Sequence, residues 1–119
     1  MIIMHEMALM GDIIQLVSND ANEKGLKQIS KIELIVGTIS QAMPDALEMA
    51  FSVYKEQYPD VLHADAILEI EIEEALARCI LCETEYVPDQ KITICPECSM
   101  PTGNLLSGET FQVKSYEGK

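Results

Sequence analysis

Two pairs of closely spaced cysteines constrain the fold of this chain more than any other feature of its sequence. Cys79 and Cys82 enclose two residues, Cys95 and Cys98 enclose another two, and 12 residues separate the pairs. Each Cys-x-x-Cys segment can form a tight turn that directs two sulfurs at one ion, and two such turns supply the tetrahedral thiolate set that zinc prefers. We therefore predict one structural zinc site at these four cysteines. A rubredoxin-like iron site and disulfides or a redox pair remain alternatives for the same spacing.

The start of the chain and its hydropathy predict a cytoplasmic protein. The opening Met-Ile-Ile-Met segment is too short for a secretory signal, and no apolar run approaches the roughly 20 residues of a transmembrane helix. We expect no membrane partner. In a reducing compartment, paired Cys-x-x-Cys segments typically hold metal. Four protein ligands leave no coordination position for a catalytic water, so we do not expect an enzyme.

The charge of the chain argues against nucleic acid as a partner. Twenty acidic residues against 8 basic ones give a formal net charge of −12, which opposes a phosphate backbone. The main alternative function is a zinc-ribbon interaction module in transcription or translation. That function requires basic and aromatic surface, yet between residues 79 and 98 the only base is Lys91 and the only aromatic residue is Tyr86. A thiol oxidoreductase is a third alternative, but the cysteines lack its βαβ context.

Hydrophobic periodicity predicts two helices and three strands outside the cysteine segment. A 3.6-residue period runs to about Gly25, and a second helix starts at Pro44 and ends before residue 59. Alternation predicts strands at 31–36, 66–73 and 109–116. The apolar face of the first helix carries Met7, Met10, Ile14, Val17 and Ala21. In strand 66–73, one face carries Leu68, Ile70 and Ile72, and a solvated face carries Glu69, Glu71 and Glu73.

The order of these elements predicts an α+β fold: a small three-stranded sheet with two helices, plus an inserted four-cysteine zinc-ribbon module. The last strand returns to the core after the cysteine segment. Residues 1–76 together with 109–119 are therefore predicted to form one domain, and residues 77–108 a zinc-binding domain.

A second metal site is suggested by one of the two histidines. His63 falls in a predicted loop and is interpreted as an ordinary surface residue. His5 follows Met4. If Met4 were the first residue, its amine, the His5 amide and the imidazole would form adjacent nitrogen donors, a set that suits Ni(II) or Cu(II) in square-planar geometry. A Met-His-Glu sequence can also arise by accident, so both interpretations stay open on the residues alone.

An ordered combination of short segments, from residue 4 to about residue 117, is more specific than the cysteines alone. The segments are Met4-His5-Glu6-Met7-Ala8-Leu9, Val36-Gly37-Thr38-Ile39-Ser40, Pro44-Asp45-Ala46-Leu47, Ala50-Phe51, Ala66-Ile67-Leu68-Glu69-Ile70, both cysteine pairs and Gly108-Glu109. In this combination the chain resembles the HypA (HybF) family of hydrogenase nickel-incorporation proteins.

The resemblance implies a nickel metallochaperone for the maturation of [NiFe]-hydrogenase and, in some members, of urease. It makes His5 the principal nickel ligand, with Glu6 contributing its backbone nitrogen and its carboxylate as a further donor. Some members recruit an acidic residue at the position of Asp45, which also suits the first turn of a helix. Family members begin at the methionine of Met-His-Glu, whereas three residues precede it here. Met4 therefore supplies an amine ligand only where it is N-terminal.

The resemblance also implies cofactors and partners. Zinc is the structural ion and Ni(II) is the cargo, bound by the domain of residues 1–76 and 109–119. The implied partners are the GTPase HypB, the [NiFe]-hydrogenase large subunit and, for urease, its accessory proteins. This sequence contains no G-x-x-x-x-G-K-[ST] loop, so nucleotide hydrolysis is assigned to the partner.

Overall fold

The computed structural model describes residues 2–88 and 93–119, with side chains from His5 onward. Over these residues the chain forms helices α1 and α2 and strands β1 to β6. Their bounds are α1 Ile2–Glu23, β1 Ile29–Gly37, α2 Pro44–Gln57, β2 Leu62–Glu73, β3 Leu76–Cys79, β4 Glu85–Tyr86, β5 Gly103–Ser107 and β6 Phe111–Gly118. The strands form two sheets, ordered β2-β1-β6 and β4-β3-β5. The predicted α+β class, with two helices, a three-stranded sheet and an inserted cysteine module, is confirmed.

The chain divides into two compact units. The first unit comprises Met1–Leu34, Ala42–Glu71 and Gln112–Lys119, and the second comprises Ile35–Gln41 and Ile72–Phe111. The domains predicted from the sequence were defined by metal binding, with boundaries at residues 76/77 and 108/109. That functional assignment stays a prediction.

In the first unit, α1 buries the face that its periodicity predicts. The buried side chains on this face are Met10, Ile13, Ile14, Val17 and Ala21. One turn earlier, the Met7 carbonyl accepts a hydrogen bond of 2.9 Å from the hydroxyl of Tyr54 on α2. Gly11 admits this tyrosine, because a Cβ at Gly11 would lie 2.8 Å from the tyrosine oxygen. The small residue therefore sets the close approach of the two helices.

Helix α2 begins at Pro44. Proline has no N–H, but the N–H groups of the first turn have no acceptor within the helix, so none is lost there. The residue before it, Met43, is extended, with φ −96° and ψ 123°. Its N–H donates to the carboxylate of Glu6 at 2.8 Å, which links the start of α2 to α1. The apolar face of α2 buries Ala46, Leu47, Ala50 and Phe51.

Strand β2 follows the predicted alternation only in part. Leu68 and Ile70 are half-buried, while Glu69 and Glu71 are exposed. The prediction fails at the end of the strand, where Ile72 is 52% exposed and Glu73 is half-buried. The Glu73 carboxylate accepts hydrogen bonds from the backbone N–H groups of residues 108 and 110 and from the hydroxyl of residue 110, at 2.7, 3.3 and 2.9 Å. These donors explain why this carboxylate does not face solvent.

Two glycines allow close backbone packing in the second unit. A Cβ on Gly37 would lie 2.0 Å from the carbonyl oxygen of Gly108, whose φ is +110°. Hydrogen bonds cross at the same place: Gly37 N–H donates to the carbonyl of Thr110 at 2.6 Å, and Ile39 N–H donates to that of Gly108 at 2.9 Å. A side chain at Gly37 would separate these segments, whereas a Cβ at Gly108 would instead lie 2.6 Å from the Cα of Ala75.

The short strands of the second unit position the cysteines. Strand β3 pairs antiparallel with β4, with Ala77 opposite Tyr86, and with β5, where Cys79 lies opposite Gly103. Cys79 is the last residue of β3, the central strand, so the first cysteine pair begins at one end of this sheet. Across residues 2–88 and 93–119, no helix is long and apolar enough to cross a membrane.

Candidate metal centres

The two cysteine pairs form turns of the same geometry. In the first turn, Glu83 N–H donates to the carbonyl of Cys79 at 3.0 Å and Cys82 N–H approaches the Cys79 sulfur at 3.5 Å. In the second, Ser99 N–H donates to the carbonyl of Cys95 at 2.8 Å and Cys98 N–H approaches the Cys95 sulfur at 3.4 Å. Glu83 and Ser99, which follow the turns, both have left-handed backbones, with φ of 63° and 57°.

These turns gather four sulfurs into one cluster. The sulfurs of Cys79, Cys82, Cys95 and Cys98 all lie within 4.8 Å of one another. The Cys79–Cys98 sulfur separation is 3.8 Å and the Cys82–Cys95 separation is 3.6 Å. A tetrahedral zinc with Zn–S bonds of about 2.3 Å has sulfur–sulfur edges of about 3.8 Å. The donor set therefore fits zinc, and both measured separations are too long for a disulfide.

Hydroxyl groups contact two of the sulfurs. The Thr102 hydroxyl lies 3.1 Å from the sulfur of Cys79, and the Thr84 hydroxyl lies 3.2 Å from that of Cys82. Sequence reasoning missed both threonines, because nothing in the Cys-x-x-Cys pattern fixes their positions. The hydrogen bond with Thr102, followed by the backbone N–H of Cys82, lowers the pKa of Cys79 to about 6.

The sulfurs of the cluster differ in their preference for a proton. The hydrogen bond with Cys82, followed by burial, raises the pKa of Cys98 to about 12. Cys79 thus favours the thiolate because it accepts hydrogen bonds, while Cys98 favours the thiol because its hydrogen bond and its burial stabilise the protonated form. A divalent ion that binds here displaces protons from the remaining thiols. The arrangement is suited to holding a metal rather than to thiol catalysis.

The Met-His-Glu segment lies in the first turn of α1, and its two ionisable side chains have opposite surroundings. His5 is exposed. Glu6 is fully buried, with one carboxylate oxygen bound to Met43 N–H and the other without a hydrogen-bond partner among the described residues. Asp45 is exposed in the first turn of α2. The structure thus makes the imidazole available and holds the Glu6 carboxylate inside the first unit.

Among the described side chains, the predicted nickel ligands His5, Glu6 and Asp45 do not form one cluster. Among the side chains of residues 5–88 and 93–119, the four cysteines are the only group of three or more histidine, cysteine, aspartate or glutamate ligands within mutual reach. The side chain of Met4 lies outside the described side chains. The assignment of nickel to His5, Glu6, Met4 and Asp45 stays a prediction.

Two other residues from the sequence interpretation can now be placed or set aside. His63 lies in β2, not in the predicted loop, and its Nδ1 accepts the N–H of Asp65 at 3.0 Å. Strand β2 starts at Leu62, before the clear alternation that marks it in the sequence from residue 66, and the loop prediction for His63 is therefore wrong. Lys91 lies outside the described residues.

The fold and the cysteine centre define a small α+β metal-binding protein with a zinc-ribbon-like module. A family model described as hydrogenase/urease nickel incorporation, metallochaperone, hypA, matches residues 4–118. The chain therefore belongs to the HypA family, as predicted from its sequence.

The chain is similar to other HypA proteins over nearly its full length. The hydrogenase maturation factor HypA of Moorella thermoacetica is 36% identical over 116 residues, covering 98% of this chain and 100% of the relative. The corresponding factor of Aquifex aeolicus is 30% identical over 114 residues, covering 96% of each. The solution structure of the nickel metallochaperone HypA from Helicobacter pylori superposes with a TM-score of 0.62 at 21% identity, covering 95% of this chain and 96% of that one. This likeness shows the fold.

Proposed function

We propose that the protein carries Ni(II) to [NiFe]-hydrogenase during its maturation, with urease as a further client, and that zinc holds its cysteine module in shape. The observation that carries this proposal is the exposed His5 imidazole beside the buried Glu6 carboxylate. The nickel-incorporation family and its relatives, which are hydrogenase maturation factors, support the nickel cargo.

The helical position of His5 favours its imidazole over its backbone amide as a nickel ligand. His5 is the fourth residue of α1, and at the same position of α2 the N–H of Leu47 already donates to the carbonyl of Met43, the residue before the helix, at 2.9 Å. A chelate that includes the His5 amide therefore requires the start of α1 to open. The amide of Glu6 is the fifth and pairs with the carbonyl of Ile2 in a regular helix, so its use requires the first turn to open.

The remaining candidate ligands rank below His5. The Glu6 carboxylate would have to leave a buried site and give up the Met43 N–H before it could reach a metal. Asp45 is exposed, but its place in the first turn of α2 is also explained by attraction to the helix N-terminus. Met4 contributes an amine only where it is the first residue. A site with few strong ligands suits a cargo that must be released.

Zinc at Cys79, Cys82, Cys95 and Cys98 is proposed as the resident ion. Bound there, it cross-links the two turns and supplies folding energy to a short segment, because such sites rarely exist without metal. All four positions are taken by protein, so the centre offers no place for a reacting water. We accordingly assign residues 77–108 to zinc binding and residues 1–76 with 109–119 to nickel binding, and we do not assign an enzymatic activity.

The proposed partners are those that membership of the HypA family implies. HypB supplies nucleotide hydrolysis, the hydrogenase large subunit receives the nickel in the cytoplasm, and accessory proteins mediate transfer to urease. The acidic composition, with a net charge of −12, disfavours the alternative of a nucleic-acid-directed zinc ribbon.

Nickel titration of zinc-loaded protein tests the proposal. Loading with zinc first keeps nickel away from the cysteines. We expect His5→Ala to weaken nickel binding at least about tenfold, or about 1.4 kcal/mol. The matched control is His63→Ala, which removes the other histidine of the chain and should bind like wild type. Equal affinities for His5→Ala and wild type would contradict the proposal.

A further inference from the structure

Thr102 presents its hydroxyl to the metal centre without being one of the metal ligands. Its oxygen lies 3.1 Å from the sulfur of Cys79 and 3.4 Å from the carbonyl oxygen of Met100. A metal-bound thiolate carries no proton, so the hydroxyl must be the donor in any hydrogen bond with it. Of the two acceptors the sulfur is nearer and charged, and it is therefore preferred.

The main chain of Thr102 fixes the position of this hydroxyl. The Thr102 carbonyl accepts the N–H of Ile80, in the first cysteine turn, at 2.9 Å. The Thr102 N–H donates to the carbonyl of Met100 at 2.8 Å, and that same carbonyl accepts the N–H of Cys95 at 3.0 Å. Thr102 is thus connected to both cysteine turns through its main chain, which places its hydroxyl beside the sulfur of Cys79.

Thr102 differs from Thr84, the other threonine in contact with a sulfur, because the cysteine that it contacts is buried. Cys79 is only 1% exposed, so water cannot replace a hydroxyl lost from its side. Cys82 is exposed, and water can take over the hydrogen bond that Thr84 makes at 3.2 Å. Loss of the hydroxyl should therefore weaken metal binding more at Cys79 than at Cys82.

We propose that Thr102 is a positioning residue of the metal centre, whose hydroxyl donates to the buried Cys79 thiolate and strengthens metal binding. The inference rests on the proposed zinc occupancy of the four cysteines. Partners of metal ligands typically contribute 10–100-fold in affinity. Because the thiolate is buried and has no substitute donor from solvent, we expect an effect within that range for Thr102 and a smaller one for Thr84.

Two measurements on the full chain separate the hydroxyl from a general packing effect. The first is zinc affinity in competition with a chromophoric chelator. The second is the energy of the sulfur-to-metal charge-transfer band after loading with Co(II), because a hydrogen bond lowers the energy of the sulfur lone pairs and its loss shifts the band to longer wavelength. Thr102→Val should weaken zinc binding about tenfold or more and shift the band. Thr102→Ala, a second variant without the hydroxyl, should shift it in the same direction.

Conservative and control variants complete the test. Thr102→Ser keeps the hydroxyl and should restore both affinity and band position, whereas Thr84→Val should change the affinity by less than about threefold. Thr93→Val is the matched control in the same unit, since Thr93 is buried and its hydroxyl donates to the carbonyl of Gly103 at 2.6 Å rather than to sulfur. It should leave the band unshifted.

The failures are distinguishable. A wild-type protein that binds neither zinc nor cobalt at the cysteines would overturn the zinc assignment itself. Metal bound normally by wild type and equally well by Thr102→Val, with the same band position, would overturn only the role of Thr102. A serine variant that behaves like the valine variant would show that the hydroxyl alone does not account for the effect, and would also overturn the inference.

Discussion

Replacing Gly37 with alanine is expected to destabilise the second unit, because a methyl group has no room there. A Cβ at this position would lie 2.0 Å from the carbonyl oxygen of Gly108 and 2.8 Å from the next amide nitrogen. Ordinary contacts between such atoms are about 3.5 Å. The obstructing atoms belong to the backbone, so no rotation of a side chain can relieve the clash, and the two segments must separate by about 1.5 Å.

The cost follows from the bonds that this separation breaks. Gly37 N–H donates to the carbonyl of Thr110 at 2.6 Å and Ile39 N–H to that of Gly108 at 2.9 Å. Each such bond contributes about 1 kcal/mol net, and forcing an extra carbon into a packed site costs about 1–3 kcal/mol. The free energy of unfolding should therefore fall by about 3–5 kcal/mol, a large part of the total stability of an ordinary domain.

Thermal unfolding of the zinc-loaded variants, followed by circular dichroism, measures this loss. We expect the Tm of Gly37→Ala to fall by about 10 °C or more. Gly25→Ala is the matched control, because Gly25 has a φ of +78° but no atom within 4 Å of an added Cβ. Its backbone strain alone costs about 1–2 kcal/mol. The steric reasoning is refuted if Gly37→Ala melts at or above the temperature of Gly25→Ala.

Three further perturbations have defined outcomes. The hydrogen bond from Gly108 N–H holds the pKa of Glu73 below its ordinary 4.5, so its stabilisation is complete above that pH and is lost as the pH falls through the lowered value. The Tm difference between wild type and Glu73→Gln should accordingly shrink on acidification, and a pH-independent difference would contradict this. Cys95→Ser should lose stoichiometric zinc by elemental analysis and retain its helical circular dichroism; full zinc content would disprove the centre. Tyr54→Phe removes the 2.9 Å bond to the Met7 carbonyl and should lower the unfolding free energy by about 1 kcal/mol in urea; an unchanged midpoint would contradict it.

The elements of the first unit could be predicted because burial follows their local period. Met10, Val17 and Ala21 recur at helical spacing and are buried together on α1. Pro44 marks the start of α2 as expected. The cysteine spacing likewise predicted the cluster, since each tight Cys-x-x-Cys turn directs two sulfurs at one ion.

Longer-range contacts account for what the sequence did not predict. Strands β3, β4 and β5 have 4, 2 and 5 residues, too few to show a period, and they depend on partners distant along the chain. Glu73 breaks the alternation of β2 because its carboxylate binds backbone that arrives 35 residues later. Neither Glu83 nor Ser99 has a side chain that signals a left-handed backbone. Nor could the sequence show that Glu6 turns inward while its neighbour His5 remains exposed.

The two cysteine turns have the same backbone geometry but present different side chains at their surface. The positions inside the first turn hold Ile80 and Leu81, which are 70% and 63% exposed, and those inside the second hold Pro96 and Glu97, both exposed. An isoleucine–leucine pair and a proline–glutamate pair thus occupy equivalent places in turns closed by the same N–H-to-carbonyl bond and the same N–H-to-sulfur contact. Because these four side chains are exposed, they can vary while both turns keep their backbone, provided that residue 80 retains the N–H that donates to the Thr102 carbonyl. The surface that the module presents to a partner can therefore change without a change in its backbone.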